Sequence, residues 1–164
     1  MGYFRKSVDN DLGGQMERSL VLVKPDGVQR GLIGDVISRL EKRGLRLIGA
    51  KFMFVSTELA ETHYKIHKGK TFYEPLIKFI TSAPVMAMVW EGPNAIAAIR
   101  QTMGKTNAIE AMPGTIRHDF ALQTRFNITH ASDSIESADF EIKLWFRDEE
   151  LINWARDDER WIFE

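Results

Sequence analysis

The sequence predicts an α+β domain: a four-stranded antiparallel sheet of βαββαβ order, with its helices packed on one face and an extension at the C-terminus. Three observations lead there. The chain has 164 residues, 44% hydrophobic and 27% charged, with no cysteine, enough for one domain to bury a core without disulfides or a structural metal. Short apolar runs alternate with stretches of helical spacing in the order β-α-β-α-α-β-α-β-α, without an internal repeat, which is the pattern of a split βαβ unit used twice. No glycine-rich fingerprint follows the first strand, so a doubly wound parallel sheet ranks second.

Residues 1–17 contain Gly13-Gly14 and no periodicity; they read as a flexible arm, either a natural extension or an expression remnant, ahead of a domain spanning 18–164. Ser19 to Val23 is an apolar run stopped by Lys24-Pro25-Asp26-Gly27, a buried strand entering a turn. Leu32, Ile33, Val36, Ile37 and Leu40 follow helical spacing, and Gly44 stands where a helix C-cap belongs. Leu45 to Val55 reads as the second strand. Ser56 or Thr57 is placed to cap a helix over Glu58 to His67, and Pro75 opens another over Leu76 to Ile80. Val85 to Trp90 is the third strand, followed by a helix over Ala95 to Met103 that ends at Gly104. The connection 104–119 is long for a compact domain, a length usually kept for function. Phe126 to His130 is the fourth strand, and Asp133-Ser134-Ile135-Glu136 resembles a capping box for a helix carried by Ala138, Ile142, Trp145 and Phe146. Leu151 to Glu164 holds three aromatics and reads as a tail packed on the body.

Composition excludes several classes. A formal charge of −1 does not suit a protein built to hold nucleic acid. The absence of cysteine removes thiol nucleophiles and thiolate zinc sites and fits a reducing compartment, so the cytoplasm is the expected location. The longest apolar stretch, Pro84 to Trp90, falls far short of the roughly 20 residues of a spanning helix. Residues 133–164 hold 11 acidic and 4 basic side chains, which leaves a basic body suited to an anionic ligand or to ordinary solvated faces.

Two Gly-Lys-Thr tripeptides, at 69–71 and 104–106, are not P-loops, because Tyr64 and Ile99 stand where the upstream glycine must be. His63 and His67 lie four apart on a predicted helix, but Tyr64 replaces the glutamate a zincin needs; they read as a surface pair. Asn127-Ile128-Thr129-His130-Ala131-Ser132-Asp133-Ser134 is more informative. It ends a strand on a histidine and opens a helix whose free N–H groups favour an anion, with Glu141 two turns along to hold the ring or a nearby hydroxyl. Lys24 follows the first strand, and Arg100 and Arg117 lie before and at the far end of the long connection, where they suit phosphate. The residues alone lead to a phosphate-binding pocket with a nucleophilic or acid–base histidine.

That block resembles the active-site signature of nucleoside diphosphate kinases, Asn-x-x-His-[Gly/Ala]-Ser-Asp. Lys24 to Gly31, Val89-Trp90-Glu91-Gly92, Pro113-Gly114-Thr115-Ile116-Arg117 and the terminal Trp161-Ile162-Phe163-Glu164 resemble further blocks of that family, in order, over about residues 17 to 164. The resemblance implies a ferredoxin-like fold and a ping-pong transfer of the terminal phosphate from a nucleoside triphosphate to a nucleoside diphosphate through a phosphohistidine on His130. It assigns Glu141 to orienting His130 beside Ser132, Tyr64 to the neighbourhood of the transferred phosphate, and Lys24 to the γ-phosphate and ribose. Arg100, Thr106 and Arg117 would hold the phosphates and Asn127 the ribose. Phe72 would stack on the base, with Leu76 and Thr124 near it.

Mg²⁺ is the expected cofactor, held mainly by the nucleotide's own phosphates and not by protein ligands. The implied partners are nucleoside tri- and diphosphates and further copies of the chain, as a homo-hexamer, with no membrane and no stable nucleic acid. Three positions depart from the family's pattern: His118 stands where glycine is usual, Ala108 replaces a proline and is expected to loosen the connection, and Ala131 is a known alternative to glycine. The competing function is a non-catalytic nucleotide- or RNA-binding regulatory module on the same fold.

Overall fold

The computed structural model describes residues 14–163. Strands β1 (Met16–Val23), β2 (Arg46–Met53), β3 (Val85–Pro93) and β4 (Thr129–Ala131) form one sheet in the order β2-β3-β1-β4. Every neighbouring pair is antiparallel. Helices α1 (Pro25–Gln29), α2 (Ile33–Lys42), α3 (Thr57–His63), α4 (Tyr73–Ile80), α5 (Ala95–Met103), α6 (Ile116–Phe120) and α7 (Ile135–Trp145) fill the connections. This is the βαββαβ arrangement expected from the order of elements and the ferredoxin-like fold that the resemblance implies.

The helices cover both faces of the sheet, not one. Leu20 and Leu22 of β1 join Ala60 of α3, Ile77 and Ile80 of α4 and Ala138, Ile142 and Trp145 of α7 in one core. Val21 and Val23 join Val36 and Leu40 of α2, Ile99 and Met103 of α5 and Ile116 of α6 in the other. Side chains alternate across a strand, so a strand covered on both sides must be apolar at every position. The run Leu20–Val23, fully buried throughout, was the trace of that second layer.

Several boundaries also move. β1 begins at Met16, where Met16 and Glu17 pair with Pro93 and Gly92, so residues 16 and 17 belong to the sheet and not to the expected arm. Residues 1–13 of that arm, and Glu164, lie outside the described residues. The helix expected to reach His67 ends at His63 and gives way to a 3₁₀ turn over Lys65–His67; Ser56 caps its start by accepting from Leu59 N–H.

β4 spans three residues, because Ile128 before it has a positive φ of 71°. The cap of α7 is Ser134 with Ser137, each side chain serving the other's backbone, and Glu136 takes no part in it. The connection 104–119 is structured, with a 3₁₀ turn over Ala108–Glu110 and then α6. The tail packs on β2 through Ile152 N–H to Ile48 O (2.7 Å) and Trp154 Nε1–H to Leu47 O (2.9 Å).

Candidate active site

β4 lies beside β1, with His130 opposite Leu22, so the histidine stands at a rigid sheet position and the next residues lead directly into α7. Across that junction Glu141, one face of α7 inward, accepts from His130 Nε2–H at 3.1 Å and from Ser132 Oγ–H at 2.5 Å. Leu20 N–H donates to the same Ser132 oxygen at 3.1 Å, fixing the hydroxyl from the sheet side. Burial of Glu141 raises its pKa, but hydrogen bonds from His130 and Ser132 outweigh it, and the net displacement is downward. An ionised carboxylate only accepts. His130 therefore carries its proton on Nε2 and leaves Nδ1 as the nitrogen with a lone pair, the nucleophilic tautomer.

His63 corrects the sequence reading. It is buried, not on the surface, because it shares the inward face of α3 with Ala60, and only His67 is partly exposed. Trp145 Nε1–H donates to His63 Nδ1 at 3.1 Å, and the His63 ring lies 4.7 Å from that of His130, edge to face. Burial, then the nearby His130, pushes the His63 pKa down to about 3, so it is neutral at physiological pH with its proton on Nε2. Tyr64 is buried beside it, ring centroids 4.5 Å apart, and burial, then Glu141, raises its phenol pKa. The sequence clue to this cluster was the four-residue run Leu59, Ala60, His63, Tyr64 along one helical stripe.

A cationic group faces the same segment. Lys24 Nζ, just past β1, donates to Asn127 Oδ1 at 2.5 Å and to Arg125 O at 3.3 Å. Burial lowers its pKa to about 8; Asp26 opposes that shift and Arg117 adds to it. Arg117 of α6 is buried and donates to Asn127 O (3.4 Å), Gly104 O (2.9 Å) and Thr129 O (2.8 Å). Burial, then Arg100, lowers its pKa to about 10, which leaves it cationic at neutral pH. Three of its five N–H groups are engaged by these carbonyls, and the other two remain for an anion. Asn127 Nδ2–H reaches Thr106 O at 2.9 Å, tying the long connection to the His130 segment.

His130, Glu141, Ser132 and Tyr64 thus form one cluster, and Lys24, Asn127, Thr106 and Arg117 a second joined to it through residues 127–129. Arg100 is exposed on α5 and is felt electrostatically by Arg117 and Asp133. Phe72 is half exposed at the start of α4, 5.3 Å from the His67 ring, an open aromatic face. Leu76 is half-buried on α4 and Thr124 exposed in the loop before β4.

Of the departing positions, Ala108 is buried in its 3₁₀ turn, and the exposed His118 sets Nδ1 2.9 Å from Ala111 O. Arg39 donates to Gly114 O and pairs with Asp119, binding the connection to α2.

Among the described residues one cluster has the donors to hold a metal by itself: His63, His130 and Glu141, with ligand atoms within 4.8 Å of one another. It offers two imidazole nitrogens and one carboxylate, with His63 Nδ1 bonded to Trp145 and His130 Nε2 to Glu141, and does not resemble the all-oxygen octahedral shell of Mg²⁺. Lys24 and Arg117 are cations. The site suits a magnesium ion only as part of a phosphorylated ligand.

The family model described as nucleoside diphosphate kinase matches residues 17–151. A nucleoside diphosphate kinase of Symbiobacterium thermophilum is 64% identical over 148 residues, covering 90% of this chain and 98% of that protein. One from Archaeoglobus fulgidus is 54% identical over 149 residues, 91% of this chain and 99% of the relative. Among solved structures, a halophilic nucleoside diphosphate kinase from Halobacterium salinarum in complex with CDP superposes with a TM-score of 0.89 at 50% identity, covering 92% of this chain and 100% of that one.

Proposed function

Because the chain belongs to the nucleoside diphosphate kinase family, we propose that His130 is the residue that carries the phosphate in its reaction. The enzyme transfers the terminal phosphate from a nucleoside triphosphate to a nucleoside diphosphate. The observation that carries the assignment is the Glu141–His130 pair, in which the acceptor-only carboxylate fixes the proton on Nε2 and frees Nδ1. In the first half-reaction Nδ1 forms a bond to the γ-phosphorus as the bond to the diphosphate leaving group breaks. In the second, a diphosphate oxygen takes the phosphoryl group from the nitrogen. Dividing the transfer this way replaces one difficult step with two easier ones.

The other residues act by position and charge. Glu141 balances the positive charge that develops on the imidazole. Lys24 and Arg117, held by Asn127 and backbone carbonyls, neutralise the transferring group, with Arg100 and Thr106 on the phosphate chain. Tyr64 and Ser132 line the His130 side. Phe72 offers a stacking face that every base can use, with Leu76, Thr124 and Asn127 completing the nucleoside site. Mg²⁺ carried by the phosphates would supply further charge neutralisation beside Lys24 and Arg117.

The reading extends to one domain that takes in β1 from Met16, to a cytoplasmic location suited to its nucleotide substrates and cysteine-free composition, and to a homo-hexamer. Ile109 and Met112, exposed on the 104–119 connection, favour subunit contacts there. Sedimentation equilibrium should give a species near six times 18.8 kDa; a monomer would refute assembly. No observation favours the non-catalytic module. Incubation with γ-labelled ATP should give an acid-labile, alkali-stable phosphoprotein that passes its label to GDP, and His130→Ala should abolish the label while remaining folded. Label retained by that variant would refute the assignment of His130.

A further inference from the structure

Ile128 stands two residues before His130 with a positive φ of 71°, a region that a β-branched side chain enters rarely and at a cost. Thr129 N–H closes onto Asn127 O across it at 2.8 Å, a γ-turn of the strained kind. Such backbone persists only where its surroundings over-determine it. Two of those restraints come from the turn after β1: Lys24 N–H donates to Ile128 O at 2.8 Å, and Ile128 N–H donates to Asp26 Oδ2 at 2.9 Å. The fit is close, since a Cβ on Gly27 would stand 2.9 Å from Ile128 Cγ2. Arg117 holds the carbonyls on either side, Asn127 O and Thr129 O. The second oxygen of Asp26, Oδ1, is buried without a hydrogen-bond partner, so this carboxylate accepts a solvation penalty in order to stand where it does.

We propose that Asp26 is a positioning residue for phosphoryl transfer, whose carboxylate clamps the strained Ile128 turn and supplies the negative charge beside Lys24, so that Lys24, Asn127 and His130 keep one geometry. The proposal rests on the reading of those three as site residues. The groups facing the Lys24 ammonium are Asp26 from α1, Arg117 from α6, the neutral Asn127 side chain and Arg125 carbonyl before β4, and the Phe79 ring of α4 at 5.4 Å. Asp26 is the one negative charge in that set. Burial and Arg117 both push Lys24 towards its neutral form, and Asp26 opposes them.

Two variants of the full chain separate the clamp from the charge. Asp26→Ala leaves the buried Ile128 N–H without an acceptor; kcat should fall about 10- to 100-fold at every pH, the scale of a small misplacement of reacting groups. Asp26→Asn keeps an oxygen for Ile128 N–H, so at about pH 6 its kcat should return to within about threefold of the parent. Having lost the charge, it should also move the alkaline limb of its kcat/KM profile down by about one pH unit.

Circular dichroism checks that both are folded, and His130→Ala is run alongside as the zero. A folded Asp26→Ala enzyme at full rate overturns the proposal, as does an Asp26→Asn enzyme equally slow at about pH 6, or one with an unmoved alkaline limb. If Asp26→Ala does not fold, the two Asp26→Asn measurements decide alone. Transfer by His130→Ala would refute the site reading itself, whereas parent-like Asp26 variants beside a dead His130→Ala overturn only the clamp.

Discussion

Replacing Glu141 by Gln removes one negative charge and very little geometry. The amide oxygen can take the place of Oε1, 3.1 Å from His130 Nε2. The amide NH₂ can donate to Ser132 Oγ, whose hydroxyl is free to turn while Leu20 N–H still holds the oxygen. The tautomer of His130 is therefore retained. On the proposed role of His130, what disappears is the anion facing the ring when Nδ1 bonds phosphorus and the imidazole becomes cationic. A hydrogen bond to a charged group is worth about 1.5–3 kcal/mol, against about 1 kcal/mol for a neutral pair. The difference of about 0.5–2 kcal/mol falls on the transition state alone, which predicts a drop of roughly 2- to 30-fold in phosphorylation rate. Burial of Glu141 places the effect toward the upper end, because a low local dielectric strengthens the lost interaction. Single-turnover labelling by γ-labelled ATP at saturating nucleotide measures it. The KM for nucleotide should stay unchanged, since the bonded partners of Glu141 are His130 and Ser132. Parent-like labelling by Glu141→Gln, or a raised KM with unchanged kcat, would refute the role assigned to the carboxylate.

Arg117→Lys keeps a charge but cannot reproduce donation to three carbonyls. It should lower kcat by at least about tenfold and reduce thermal stability together; an unchanged melting temperature would show that the carbonyl network contributes little. Acid stability depends on His63, whose pKa of about 3 in the folded protein lies below the ordinary 6.5. Its contribution is complete above that ordinary value and is lost as pH falls towards the folded one. Urea titrations should therefore show about 1.4 kcal/mol lost per pH unit through this window. His63→Gln should flatten the slope, and an equal slope in that variant would refute the assignment. Glu141, with its pKa lowered, adds a second loss in the same direction at lower pH.

Local patterns carried the elements and the signature block, but not the pairing of layers. A continuous apolar strand is compatible with one covered face or two, and Leu20–Val23 resolves that question only when α2, α5 and α6 are seen on the side opposite α3, α4 and α7. His63 was misread because its environment is set by Trp145, 82 residues away in the chain; two histidines at helical spacing cannot show which of them faces inward. Ile128 had the same character. Its β-branched side chain argues for an extended strand from Phe126 onward, and only contacts from Lys24 and Asp26, about a hundred residues upstream, force the turn. By contrast His130, Ser132 and Glu141 lie within twelve residues of one another on consecutive elements, so their meeting could be argued from spacing.

The two halves of the site are fixed by different physics, and this bears on how they can be perturbed. The His130 half is held by charge-assisted side-chain bonds among His130, Ser132 and Glu141, anchored to β1 through Leu20 N–H. The Lys24–Arg117 half is held by cations donating to neutral oxygens, Lys24 to Asn127 Oδ1 and Arg117 to three carbonyls. Among the described residues, no hydrogen bond links Glu141 or Ser132 directly to Lys24 or Arg117. The halves meet in the backbone of residues 127–129, where Arg117 holds Thr129 O one residue from the histidine. Substitutions confined to opposite halves should therefore combine nearly additively in their effects on the barrier. A substitution in the connecting backbone should act on both at once, because it moves the histidine relative to the Lys24 and Arg117 charges.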